Sequence, residues 1–190
     1  MDYRNQAALD FLATRRSHPP KMLRGPAPDR AEIERLLTLA ARAPDHGKLE
    51  PWRFVVLDRA ALDRMAPALR AAVLASGQDE AAANKAASAC DSPVIVAVVS
   101  SPTDSAKVPL WEQQLSAGAV CLGLVNAALA SGLGAAWLTG FAALNQDFAR
   151  THLGLTDSER VAGLVHIGQR GDTPPERPRP DIAAKTTWLD

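Results

Sequence analysis

Apolar residues follow two rhythms along this chain: a spacing of three or four, and short unbroken runs. The first marks one face of a helix. The second, bounded by turn residues, marks a strand covered on both sides. The helical rhythm predicts a helix over Asn5 to Arg15, with Ala8, Leu9, Phe11 and Leu12 on its apolar side. It predicts a second from Asp29 to Arg42, with Ile33, Leu36, Leu37 and Ala40 inward. Further helices are expected from Arg59 to Ala75, Glu80 to Ala89, Lys107 to about Ala130, and Asn145 to Leu153. Pro67 should kink the third or start a new segment, because proline has no N–H to give. Asp29 with Glu32 reads as a capping box, and Asp58 as the next N-cap. The strand rhythm predicts Arg53 to Leu57, Pro93 to Ser100, Gly134 to Leu138 and Arg160 to Ile167. The run at 53–57 is nearly continuous, which suggests burial on both faces.

The order α-α-β-α-α-β-α-β-α-β implies a central sheet with helices on both faces. A length of 190 residues fits one domain over 1–190, with the Pro- and Arg-rich stretch from about 171 as an extended arm. No G-x-G-x-x-G follows the first strand, so a dinucleotide-binding Rossmann unit is not expected. Leu115 to Leu138 carries no charge, but Ser131-Gly132-Leu133-Gly134 breaks it before the roughly 20 residues a membrane span needs. It reads as a buried helix followed by a strand.

Charge narrows the partners. The 21 basic and 21 acidic side chains cancel, and no basic block stands out, so neither nucleic acid nor an anionic membrane is expected. Cys90 and Cys121 form no CxxC; metal and disulfide frameworks are unexpected, and a reducing cytoplasm is the expected compartment. No G-x-S-x-G, P-loop or HExxH motif occurs, and His18, His46, His152 and His166 accompany no obvious nucleophile. No side chain is singled out as catalytic. The chemistry is expected to belong to a bound cofactor.

Three stretches can hold one. Arg15-Arg16-Ser17 ends the first helix before His18-Pro19-Pro20. Two guanidinium forks and a hydroxyl there make an anion clamp, or else simply complement the helix dipole. In Arg42-Ala43-Pro44-Asp45-His46, Pro44 stops a helix, leaving Arg42 on its last turn and His46 on a stiff loop; a solvated capping turn is the plainer alternative. Trp137-Leu138-Thr139 projects from a strand end, where backbone and hydroxyl can meet a flat ring; a core Trp137 is the other reading. Lys107, Trp111 and Glu112, at the mouth of the long helix, either face a ligand or form a solvated helix start. Arg53 falls in no motif and reads as a neutral reference position.

Arg15-Arg16-Ser17, Ala41 to His46 followed by Pro51-Trp52, Lys107-Val108-Pro109 with Trp111-Glu112, and Gly134 to Gly140 together resemble the nitroreductase family in its small single-domain branch. The match runs in order along nearly the whole chain. The resemblance implies an α+β fold around a central mixed β-sheet flanked by helices. It implies a homodimer with FMN at the interface, NADH or NADPH as hydride donor, and nitro compounds or quinones as acceptors. A flavin-binding protein without turnover is the alternative. By the same resemblance Arg15, Arg16 and Ser17 clamp the flavin phosphate, and Arg42 and His46 come from the other subunit. Trp137, Leu138 and Thr139 line the ring. Leu138 stands where an Arg can occur in similar proteins. Arg177 and Arg179 of the arm are left outside the assignment.

Overall fold

The computed structural model describes residues 3–189. In chain order it contains α1 (Gln6–Thr14), β1 (Leu23–Arg24), α2 (Arg30–Ala40), β2 (Trp52–Leu57), α3 (Arg59–Ala75) and α4 (Glu80–Ser88). There follow β3 (Val94–Ser100), α5 (Leu110–Ala130), β4 (Gly134–Leu138), α6 (Gly140–Leu144), α7 (Gln146–Leu153) and β5 (Arg160–Arg170). Asn5, Asp29, Asp58, Asp79 and Asn145 each close a first helical turn, the side-chain oxygen accepting a backbone N–H at 2.8–3.1 Å. Glu32 does not complete the box back to Asp29; it turns to Arg35 at 3.6 Å.

β5 is the spine of the sheet. Ile167 pairs with Val94 of β3 on one side and with Ala135 of β4 on the other. β2 adds to the outer edge of β3, and β1 pairs with the last two residues of β5. The α+β class is as expected. β3 and β4 run the same way, joined by the α5 crossover, with β5 running the opposite way between them. Every pairing among the described residues is therefore antiparallel.

β3 explains both core layers. It is buried throughout, and alternate residues face opposite sides. Val94, Val96 and Val98 pack with Leu36 of α2 and Val120 and Leu124 of α5. Ile95, Ala97 and Val99 pack with Leu62, Leu69 and Val73 of α3 and Phe148 and Leu153 of α7.

Four expectations are corrected. Pro67 starts no new segment but lies inside one continuous helix, where both it and Asp63 are exposed, so water can serve the carbonyl that lacks a partner. β2 is an edge strand, bonded only to β3, so it is half-buried rather than covered on both faces. α1 buries none of its residues, and Leu9 and Leu12 stand in solvent. α5 is apolar and long enough to cross a membrane by composition, but over half of that window is buried in the fold. Its outward stripe, Trp111, Leu115 and Leu122, is exposed.

Arg53 is not neutral. Its Nε and Nη2 meet the buried Glu159 carboxylate at 2.6 and 2.8 Å, and Nη2 also donates to Gly154 O at 2.9 Å. Arg53 holds the Glu159 carboxyl down at about 2. Arg53→Ala strands that carboxylate, and we expect a loss of about 2 kcal/mol in urea unfolding. An unchanged midpoint would show that water replaces the guanidinium without cost.

Candidate functional site

α1 stops at Thr14, and the chain turns into Arg15-Arg16-Ser17. His18 then donates its N–H to Ala135 O at 2.9 Å, which seats the segment beside β4. Arg15 Nη2 reaches Ser17 Oγ at 3.3 Å, while its Nε is buried without a hydrogen-bond partner. Burial lowers the Arg15 pKa, and the charges of Arg179 and Arg16 lower it further. The arm thus returns to the clamp. Arg16 holds it there, donating from Nε and Nη2 to Pro175 O at 3.3 and 3.0 Å. Glu176 pairs with Arg179 at 2.8 Å. Arg179, left aside in the sequence reading, is therefore the third guanidinium of the cluster.

Trp137 is exposed at the end of β4 and lies across β5. Its Nε1 donates to Ala162 O at 3.3 Å. The seat exists because position 163 is glycine: a Cβ there would collide with Trp137 Nε1 and Cδ1 and stand 2.9 Å from Cys121 Sγ. With Gln114, Gly118 and Arg160, Trp137 lines a cavity of about 280 Å³. Leu138 and Thr139 are exposed, and Thr139 precedes Gly140, whose φ of +69° starts α6. Trp137 is thus not a core residue.

Arg42 lies just past α2 rather than on its last turn, exposed and without a side-chain partner among the described residues. His46 sits in a short 3-10 turn over His46–Lys48. Its Nδ1 is 2.7 Å from Glu112 Oε2. Both line a second cavity, of about 310 Å³, with Pro44, Pro51, Val108 and Leu115.

The structure therefore brings Arg15, Arg16 and Ser17 together and docks them against the strand that ends in Trp137, Leu138 and Thr139. It does not bring Arg42 or His46 to them. The two cavities flank the first half of α5, Gln114 and Gly118 facing one and Glu112, Ser116 and Ala119 the other. The residues present fit FMN: an unpartnered buried Nε among three guanidiniums suits a phosphate, and a glycine-seated indole at a strand end suits a flat ring. Sequence reasoning left Arg179 outside the assignment, although the Arg-rich arm was its signal, and left the role of Glu112 open.

Comparison with known proteins gives one consistent answer. The nitroreductase family model matches residues 12–169. A curated relative from Haemophilus influenzae named "Putative NAD(P)H nitroreductase" is 41% identical over 164 residues, 85% of this chain and 87% of its own length. A nitroreductase-like protein from Bacillus cereus superposes with a TM-score of 0.77 at 25% identity, covering 100% of this chain and 98% of its own. The fold also matches the FMN-dependent nitroreductase NfnB of Mycobacterium smegmatis, solved with NADPH, at TM-score 0.77 and 17% identity over 97% and 99% of the two chains. The sequence matches and the fold agree: this chain belongs to the nitroreductase family.

Proposed function

We propose that this chain is an FMN-dependent NAD(P)H oxidoreductase that reduces nitro compounds, quinones or similar acceptors, and that it works as a homodimer in the cytoplasm. The observation that carries this reading is Arg15, with a buried, unpartnered Nε beside two further guanidiniums. The names of the Haemophilus relative and of NfnB, which is FMN-dependent and was solved with NADPH, support it.

Arg15, Arg16, Ser17 and Arg179 would hold the phosphate. Trp137, Leu138 and Thr139 would line the ring, and Arg42 and His46 would reach it from the partner subunit. Bound FMN supplies hydride transfer, which needs no nucleophile from the protein. The chain's share is to bind, orient, exclude water and place positive charge. Dimerisation is supported by the uncovered apolar sides of α1 and α5, and by two half-sites that a single chain keeps apart on either flank of α5.

Purified protein should be yellow and release FMN on denaturation. NADH or NADPH should bleach the visible band, and a nitroaromatic or quinone should restore it. A colourless protein that takes up no added FMN overturns the flavin reading. A yellow one that neither nucleotide bleaches would be a carrier rather than an enzyme.

A further inference from the structure

Glu112 touches the candidate site and has no part in it so far. It stands in the first turn of α5, where a carboxylate complements the helix dipole. Ser116, one turn on, donates from Oγ to Pro44 O at 2.7 Å. The same face of α5 therefore grips the Pro44–His46 loop twice, at His46 and at Pro44. The grip comes from a rigid element, because Val120, Cys121 and Leu124 of α5 are fully buried. Gln113, also buried, ties down the segment ahead of the helix by donating to Thr103 O and Val108 O at 2.9 and 3.1 Å.

The loop is one that needs holding. Gly47, Lys48 and Glu50 all have left-handed φ, of +77°, +54° and +47°, and two of the three carry side chains. The Asp45 carboxylate accepts the N–H groups of Leu49 and Glu50 at 3.1 and 2.9 Å, which stabilises that conformation.

An imidazole leaves its tautomer open unless a neighbour settles it. An ionised carboxylate only accepts, so at 2.7 Å His46 Nδ1 must carry the proton. Nε2 has no hydrogen-bond partner among the described residues. We propose that Glu112 is a positioning residue for His46: it fixes the proton on Nδ1 and presents Nε2 to the ligand of the 310 Å³ cavity. The proposal rests on the flavin reading, in which that ligand is FMN held by a partner subunit.

Glu112→Gln keeps the shape but removes the constraint, since an amide can either accept from Nδ1 or donate to it. Two measurements on the full chain test the idea. The first is ¹⁵N imidazole NMR of flavin-free protein, with the His46 signals assigned by their loss in His46→Ala. A single Nδ1–H tautomer is expected in the parent, and a mixture in Glu112→Gln. The second is titration with FMN, read by quenching of its fluorescence. Glu112→Gln should weaken FMN by about fivefold to tenfold in the parent and by less than about twofold in His46→Ala. Equal weakening in both backgrounds, or the same His46 tautomer with and without Glu112, overturns the proposal. If the parent takes up no FMN, the flavin reading has failed, and the tautomer measurement still decides whether Glu112 sets the His46 proton.

Discussion

Chains carrying Arg16→Ala should lose FMN, chains carrying Arg42→Ala should lose FMN, and a mixture of the two should regain part of it. A charge-assisted hydrogen bond contributes about 1.5–3 kcal/mol net, so each substitution should weaken binding on the order of tenfold to a hundredfold. Arg16→Ala has a second cost, because Arg16 also anchors the arm at Pro175 and so keeps Arg179 beside Arg15. The recovery follows from the geometry. Trp137 and His46 line separate cavities on the two flanks of α5, and in the proposed homodimer a complete site would draw the Arg15–Ser17 segment from one subunit and the Arg42–His46 loop from the other. After subunit exchange, a heterodimer holds one sound site and one doubly damaged site. Flavin fluorescence quenching should report the sound ones. If both lesions fell within a single chain's site, every site would keep one lesion and exchange would restore nothing. A monomer that still binds FMN would also overturn the arrangement. The reference variant is Arg30→Ala, whose only side-chain partner among the described residues is the exposed Glu34 on α2. Arg53 cannot serve, because it anchors Glu159.

Acid should weaken the fold well before carboxylates protonate. His166 is buried in β5, with Nδ1 2.8 Å from Ser92 Oγ. Burial pushes its pKa down to about 4, against 6.5 for an exposed ring. The unfolded chain therefore binds a proton that the folded chain refuses, and stability falls as pH drops from 6.5 toward 4. At 1.36 kcal/mol per unit, the loss across that window is about 3 kcal/mol. His18, lowered by burial and then by Arg170, adds in the same direction. Glu159 takes over below: its folded pKa lies under its ordinary value, so its contribution is present above about 4.5 and is lost as pH falls toward 2. Urea midpoints at pH 7, 5.5 and 4 check this. His166→Gln keeps a partner for Ser92 but cannot take the proton, and its curve should be the flatter one. Parallel curves would show that His166 is not the source.

The parts of the molecule readable from sequence are those whose signal is local. The apolar run from Val94 to Val99 carried the strongest strand signal in the chain, and Asp29 and Asp58 stand directly before the helices they cap. The arginines of the clamp, the His46 loop and the Trp137 strand end stood out as candidates because each is a short motif. The rest depended on long returns of the chain. β1 has two residues inside a Pro- and Gly-bearing loop and exists only because β5 passes beside it. Glu159 meets Arg53 across 106 positions, which no window along the chain contains. Arg179 reaches Arg15 in the same way. The outward stripe of α5 was hidden because its Ala, Gly and Leu residues look alike on every side, so no polar face marked which side would stay open.

The spine of the sheet is also the last of the described strands to be synthesised. β3 and β4 leave the ribosome with the edges that will flank β5 unpaired, and α5 between them has no finished sheet to cover. Until residues 160–170 emerge, the facing edges of β3 and β4 stay open beside a long apolar helix, the features that invite pairing with other chains. Translation that stalls in α7 would therefore leave no smaller version of this fold, only its most adhesive pieces.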